Sequence, residues 1–210
     1  MKVFIDLFCG LGGASSAFCA APGWKVIKID NNPDLIPHVH GMILADVHET
    51  ENILAIIFSL LFDYKDELEK VVIWASPPCT EFSLANPNRP EEPDMSCLVD
   101  AKFIIDKLHQ WISANETEFY WVVENVKGAI DWFNEELEMP WHQRIGPFFL
   151  WGSIPWIDFR DVGDKQHKKT GLNKGSRALR PNIRAKIPDA VSQALLESLE
   201  LQTKLNIVFE

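Results

Sequence analysis

A chain of 210 residues with 47% hydrophobic content can bury the core of one α/β domain and at most a small appendage. No run approaches the roughly 18 uninterrupted apolar residues that cross a bilayer. The net charge of −10 argues against a polyanion partner only until its distribution is read, because residues 160–186 hold nine Lys and Arg against Asp161 and Asp164. That sign asymmetry is the footprint of a polyanion-binding edge, with a solvated basic loop as the plainer alternative.

In chain order, residues 3–7 open as a strand without the basic and cleavage regions of a secretory signal, so a soluble cytoplasmic protein is the expectation. Further strand-like runs follow at 25–29, 71–75, 120–123 and 148–151. Helical patterns occupy 14–20, 51–62, 97–114 and 129–136; in the third, Leu98, Ala101, Ile104, Ile105, Leu108 and Ile112 recur at helical spacing. Alternating strands and helices predict a mostly parallel, doubly wound sheet, whose ligands sit at the carboxyl ends of the strands. From about residue 152 glycine and proline predict loops. A helix is expected from Pro188, with Val191, Leu195, Ser198 and Leu199 on one stripe, then a strand at 206–209.

Two constellations fall at predicted strand ends. The first strand runs into Asp6-Leu7-Phe8-Cys9-Gly10-Leu11-Gly12-Gly13, where glycines let the backbone turn and approach a ligand. The second strand ends at Asp30, twenty residues after Gly10, the separation at which an acid reaches a nucleoside's ribose. Asp46 falls at the end of a short third run, placed to accept from an adenine amino group. The pattern is not GxGxxG, which disfavours hydride transfer between nicotinamide and substrate. A structural turn is the bland reading.

The fourth strand enters Ser76-Pro77-Pro78-Cys79-Thr80-Glu81-Phe82-Ser83. Two prolines stiffen the backbone before the thiol, which is then presented to the ligand crevice. An inert cysteine in a proline-rich turn is the competing reading. The fifth strand ends in Val122-Val123-Glu124-Asn125-Val126, where desolvation should raise the Glu124 pKa and let it hold a proton near neutrality. None of Cys9, Cys19, Cys79 and Cys97 forms a CxxC pair or lies at zinc-finger spacing from a His, so neither a disulfide framework nor a metal site is expected. One thiol is expected to be reactive and the others small core residues.

These residues resemble the cytosine-C5 DNA methyltransferase family, in its compact, phage- and prophage-like form. The run Phe4 to Gly13 is similar to the family's first motif, Pro77-Pro78-Cys79 with Phe82-Ser83 to its catalytic loop, and Glu124-Asn125-Val126 to the motif supplying the acid that holds cytosine N3. The resemblance covers residues 1–130 well and loosens beyond. His142-Gln143-Arg144 is similar to a Gln-x-Arg-x-Arg segment, but Gly146 stands at its second Arg. Pro188-Asp189-Ala190-Val191 departs from the family's Gly-Asn-x-Val.

The resemblance implies a Rossmann-like class I methyltransferase fold that binds S-adenosylmethionine and methylates cytosine C5 in DNA, as in restriction-modification systems. It implies a catalytic domain over 1–157, a reduced basic target-recognition segment over 158–186, and a C-terminal helix and strand over 187–210 packing back on the first. Cys79 would attack C6 of a flipped cytosine, Glu124 would stabilise its protonated N3, and Arg144 would contact base or phosphate. Cofactor contacts are implied for Asp6, Phe8, Cys9, Gly10, Leu11, Gly12, Gly13, Asp30, Asn31, Asp46, Val47, Pro78, Leu98 and Val191. Contacts to duplex DNA are implied for Ser83, Lys168, Lys169, Arg177 and Arg180. A lowered Cys79 pKa is expected from nearby Arg or the cofactor's positive charge, and a monomer is the favoured state. The alternatives are a tRNA cytosine-C5 methyltransferase, a non-catalytic S-adenosylmethionine- or DNA-binding relative, and transfer of a modified one-carbon group.

Overall fold

The computed structural model describes residues 1–114, 117–159 and 179–208. One seven-stranded sheet organises them: β1 (Lys2–Leu7), β2 (Trp24–Asp30), β3 (Met42–Leu44), β4 (Lys70–Ala75), β5 (Glu118–Asn125), β6 (Gln143–Ile145) and β7 (Phe148–Gly152). Their spatial order is β3-β2-β1-β4-β5-β7-β6. The first five strands pair in parallel, whereas β7 runs antiparallel to both β5 and β6. The sheet is therefore mixed, with parallel and antiparallel parts. Because the chain moves outward through β2 and β3 and then returns to β4 beside β1, the order reverses between β1 and β4, and a crevice opens outside their carboxyl ends.

Burial explains the strands. Every residue of β4 is buried, as a central strand covered on both faces requires, and its Val-Val-Ile-Trp run is apolar without alternation. One face of the sheet packs against α1 (Thr50–Phe62), α2 (Ser96–Ile112) and α3 (Ile130–Glu136) through Ile53, Ile57, Ile104, Leu108 and Phe133. The six α2 residues read as a helical stripe are all buried. The other face packs against α5 (Asp189–Val208) through Val191, Leu195 and Leu199, and against Phe18. The short α4 (Arg180–Ala185) precedes α5.

Three expectations change. Residues 14–20 form successive turns and not a regular helix. The cause is Ser192 of α5: its hydroxyl donates to Ala14 O at 2.6 Å and accepts from Ala17 N at 3.0 Å, standing between the groups an i→i−3 bond would join. Residues 206–208, expected in a strand, end α5. Strand β6 was not expected; with three residues it is too short to show a period of two. Most of the basic segment, residues 160–178, lies outside the described residues.

Candidate active site

All the strand-end carboxylates singled out from the sequence stand at the same edge of the sheet. At β1, the chain leaves through Phe8, which holds a left-handed φ of 57°, a conformation costing a bulky residue about 1–3 kcal/mol. Gly10 N–H donates to Asp30 Oδ2 at 2.9 Å, and Asn32 N–H to Asp30 Oδ1 at 2.9 Å. Asp30 thus ties the turn after β1 to the turn after β2, with lone pairs left on each oxygen. Asp46 accepts from Asn31 Nδ2 at 3.2 Å and from His48 N–H at 3.1 Å, and these bonds lower its pKa. Asn31 and Asp46 meet at the surface, as a pair facing one ligand would.

Several members of the first constellation are engaged within the protein itself. Asp6 is buried and accepts the Ser15 hydroxyl at 2.6 Å; burial raises its pKa to about 7 against the opposing pull of that bond. Cys9 is buried beside Leu35, Val39 and Leu179, and burial followed by the charges of Asp6 and Asp30 pushes its thiol far up. Leu11 packs on that cluster, and Gly12 is buried. Gly13 cannot carry a side chain, because a Cβ there would fall 2.2 Å from the Ile187 carbonyl oxygen. Val47 and Val191 are core side chains, each 2% exposed, so their side chains face packing partners. Asp189 is exposed and pairs with Lys186 at 2.9 Å.

The second constellation is assembled by contacts that neither motif shows alone. The Asn125 side-chain amide donates to Pro77 O at 3.0 Å, a buried bond that ties the end of β5 to the proline turn. Phe82 N–H and Ser83 N–H both donate to Cys79 O, at 3.2 and 2.9 Å, and curl the loop around the cysteine. Gly128 completes the seat: a Cβ there would lie 2.0 Å from Phe82 O, so only glycine lets this loop close on the end of β5. Cys79 is left half-buried and Ser83 half-buried beside it.

Glu124 is buried, and desolvation raises its pKa to about 7, opposed by a hydrogen bond with the Ser76 hydroxyl. Ser76 Oγ in turn accepts Trp74 Nε1–H at 2.8 Å, which leaves its own proton for the carboxylate. Burial pushes the Cys79 thiol up, and the nearby Glu124 carboxylate pushes it further. Among the described residues burial is the main influence on this thiol, and it acts opposite to the lowering expected from Arg or the cofactor's charge. The buried Asn125–Pro77 bond brings the end of β5, with Glu124, against the proline turn that carries the thiol. Because the thiol is the weaker acid of the two, a single negative charge here rests on the Glu124 carboxylate, and protonating Glu124 removes its repulsion of a thiolate.

Beside the proline turn lies a cleft of about 280 Å³ lined by Pro77, Pro78, Phe82, Leu98 and Phe133, with Cys97 at its wall. Pro78 is exposed there and Leu98, 1% exposed, lies behind it, while Thr80, Glu81 and Asp94 give the cleft a polar side. Arg144 is exposed on β6, its Nε donating to Gly146 O at 2.8 Å and its guanidinium over the Phe149 ring. Phe149 pairs with both Arg144 and Asn125, placing Arg144 two strands from the Glu124 end. Lys168, Lys169 and Arg177 lie outside the described residues, and for Arg180 the backbone alone is described, in α4.

Sequence reading missed Ser76, Asn125 and Gly128. Asn125 and Gly128 flank the acid, yet their partners lie more than forty residues upstream in the chain. No helix among the described residues is long and apolar enough to cross a membrane.

No protein-family model matches the chain, and no curated protein does. Among solved structures, the fold is similar to that of the methyltransferase EhMeth of Entamoeba histolytica, at 14% identity and a TM-score of 0.38. The match covers 66% of this chain and 42% of that one, so the chain spans well under half of the neighbour's length.

Proposed function

We propose that this protein is an S-adenosylmethionine-dependent cytosine-C5 methyltransferase of the class I fold, acting on DNA. The observation that carries the proposal is the pairing of Cys79 with Glu124: a thiol on a rigid turn beside a buried carboxyl whose pKa is raised to about 7. Asp6 and Cys9 make a similar pair, but Cys9 is buried in an apolar cluster, whereas Cys79 is half-buried on a turn beside a cleft.

The donor set at the sheet edge fits a nucleoside cofactor. Asp30 retains acceptor capacity for ribose hydroxyls, Asp46 with Asn31 presents an acceptor for an amino group, and exposed Pro78 offers a face to a planar ring. When bound, the cofactor supplies an electrophilic methyl group. The protein's own groups prepare the base. Cys79 gives its thiol proton to water and its sulfur attacks C6 of a cytosine rotated out of the duplex, while protonated Glu124 donates a hydrogen bond to N3 and keeps its proton through the cycle. The electron pair displaced from the C5–C6 double bond makes C5 nucleophilic. After C5 is methylated, its proton passes to water, the C6–S bond breaks, and Cys79 leaves as thiolate. Ser76, itself held by Trp74, keeps the Glu124 carboxyl oriented toward the site. The basic run over 160–186 supplies phosphate contacts that offset the few kcal/mol cost of unstacking the base.

Incubating the protein with radiolabelled S-adenosylmethionine and duplex DNA, followed by bisulfite sequencing, tests the proposal. Labelled 5-methylcytosine is expected from the native protein, and none from Cys79→Ser, which should still bind the cofactor. Full methylation by Cys79→Ser would overturn the nucleophile assignment. Label entering transfer RNA and not DNA would move the substrate.

A further inference from the structure

A second thiol faces the cleft with a base of its own. Cys97, in the first turn of α2, places its Sγ 3.5 Å from His48 Nε2. His48 Nδ1 lies 2.6 Å from Asp100 Oδ2 on the same helix. Cys97 and Asp100 are three residues apart and so share a face of α2. The His48 backbone is fixed by its N–H donating to Asp46 Oδ1 at 3.1 Å. With a carboxylate on Nδ1, the imidazole carries its proton there and turns Nε2 to the thiol as an acceptor.

The surrounding charges decide which way this trio works. Burial and then Asp94, Asp100, Asp46 and Glu81 push the Cys97 thiol up to about 11, so at rest the sulfur keeps its proton. The Asp100 hydrogen bond, with Asp46 and Asp94, raises His48 above its ordinary value of 6.5. A standing thiolate is disfavoured among these carboxylates, but an imidazolium is welcome there. Proton transfer coupled to attack is the chemistry such an arrangement permits, as for a hydroxyl nucleophile beside a histidine. The reaction proposed at Cys79 uses none of these three residues.

We propose that Cys97 is a second reactive thiol, a covalent-modification site for small soft electrophiles entering the cleft, with His48 as its general base and Asp100 positioning the ring. The Cys97 sulfur forms a bond to the electrophilic carbon. The leaving group departs with its electron pair, and the thiol proton moves to His48 Nε2 and then to solvent. An adduct here would stand in the cleft that Pro78 also lines. That it would exclude the methyl donor rests on the function proposed above.

Iodoacetamide labelling resolved by peptide mass spectrometry separates the four thiols, with exposed Cys19 as an internal standard and buried Cys9 reporting an intact fold. Between about pH 6 and 9, the Cys97 rate should rise through one inflection above 6.5 and then level. His48→Gln should slow Cys97 about tenfold or more at pH 8 without changing Cys19. Asp100→Asn should move the inflection to lower pH. A Cys97 rate that climbs about tenfold per pH unit without levelling, or is indifferent to His48→Gln, would overturn the proposal. Labelling in the presence of S-adenosylhomocysteine tests the other reading separately. Protection of Cys97 supports both, whereas undiminished His48-dependent labelling keeps the reactive thiol and removes the nucleoside from the cleft.

Discussion

Asp6 and Glu124 are buried carboxyls at the same edge of one sheet, both raised to about 7 by desolvation, yet their surroundings differ in kind. Asp6 accepts from Ser15 inside a turn that Asp30 also braces, and the thiol it acts on, Cys9, is buried in an apolar cluster. Glu124 is held by Ser76 and lies against a thiol on a separate loop. The contrast teaches that a perturbed acid marks chemistry only where a reactive partner shares its site. On the function proposed above, the carboxyl ends of β1 to β3 form a scaffold, and those of β4 and β5 carry the groups that would react.

Exchanging acids for amides is the sharpest way to break this comparison. Glu124→Gln should lower methyl transfer by about 10²–10⁴-fold while cofactor affinity stays within a factor of about two. In the native protein, turnover should fall as pH rises through 7, and the variant should lack that limb. An equal loss of turnover in Asp6→Asn, with no loss of fold, would erase the distinction.

Stability against pH is the next largest effect. A carboxyl whose folded pKa is raised favours the folded state while protonated, so stability is full below about pH 4.5 and declines until pH passes about 7. Glu124→Gln should remove that decline, a difference approaching about 3 kcal/mol above pH 7 and vanishing below about 4.5. Chemical denaturation at several pH values measures it; parallel curves for the two proteins would show that Glu124 titrates as it would in an unfolded chain.

Smaller effects sharpen the picture. Asp30→Ala leaves the Gly10 and Asn32 amides without their acceptor, and should cost about 2 kcal/mol while speeding hydrogen exchange at those two positions. Ser76→Ala removes the bond that holds the Glu124 pKa down, so the falling limb of turnover should move to higher pH by up to about one unit. A shift to lower pH would contradict the hydrogen bond's assigned direction.

Much of the scaffold was legible because it is written locally. The buried strands announce themselves as apolar runs, and the α2 stripe by its spacing. The thiol and the acid were legible because each follows a strand. What escaped depends on distant partners. Asn125 matters through Pro77, Gly128 through Phe82, and the turns at 14–20 take their form from Ser192. Cys19 and Cys97, expected in the core, are exposed and half-buried, since a cysteine's burial is decided by what packs over it. The environment of Cys79 has the same character: among the described residues, burial and then the Glu124 carboxylate set its thiol, and neither is visible in the motif.

Ser192 reaches the turn after β1 across 175 residues, completing with one hydroxyl a segment that cannot satisfy itself. During synthesis, the sheet strands that carry Cys79 and Glu124 leave the ribosome well before α5. The turns at 14–20 must therefore wait for the last helix, and on the function proposed above the cofactor side of the site would mature after the reacting side.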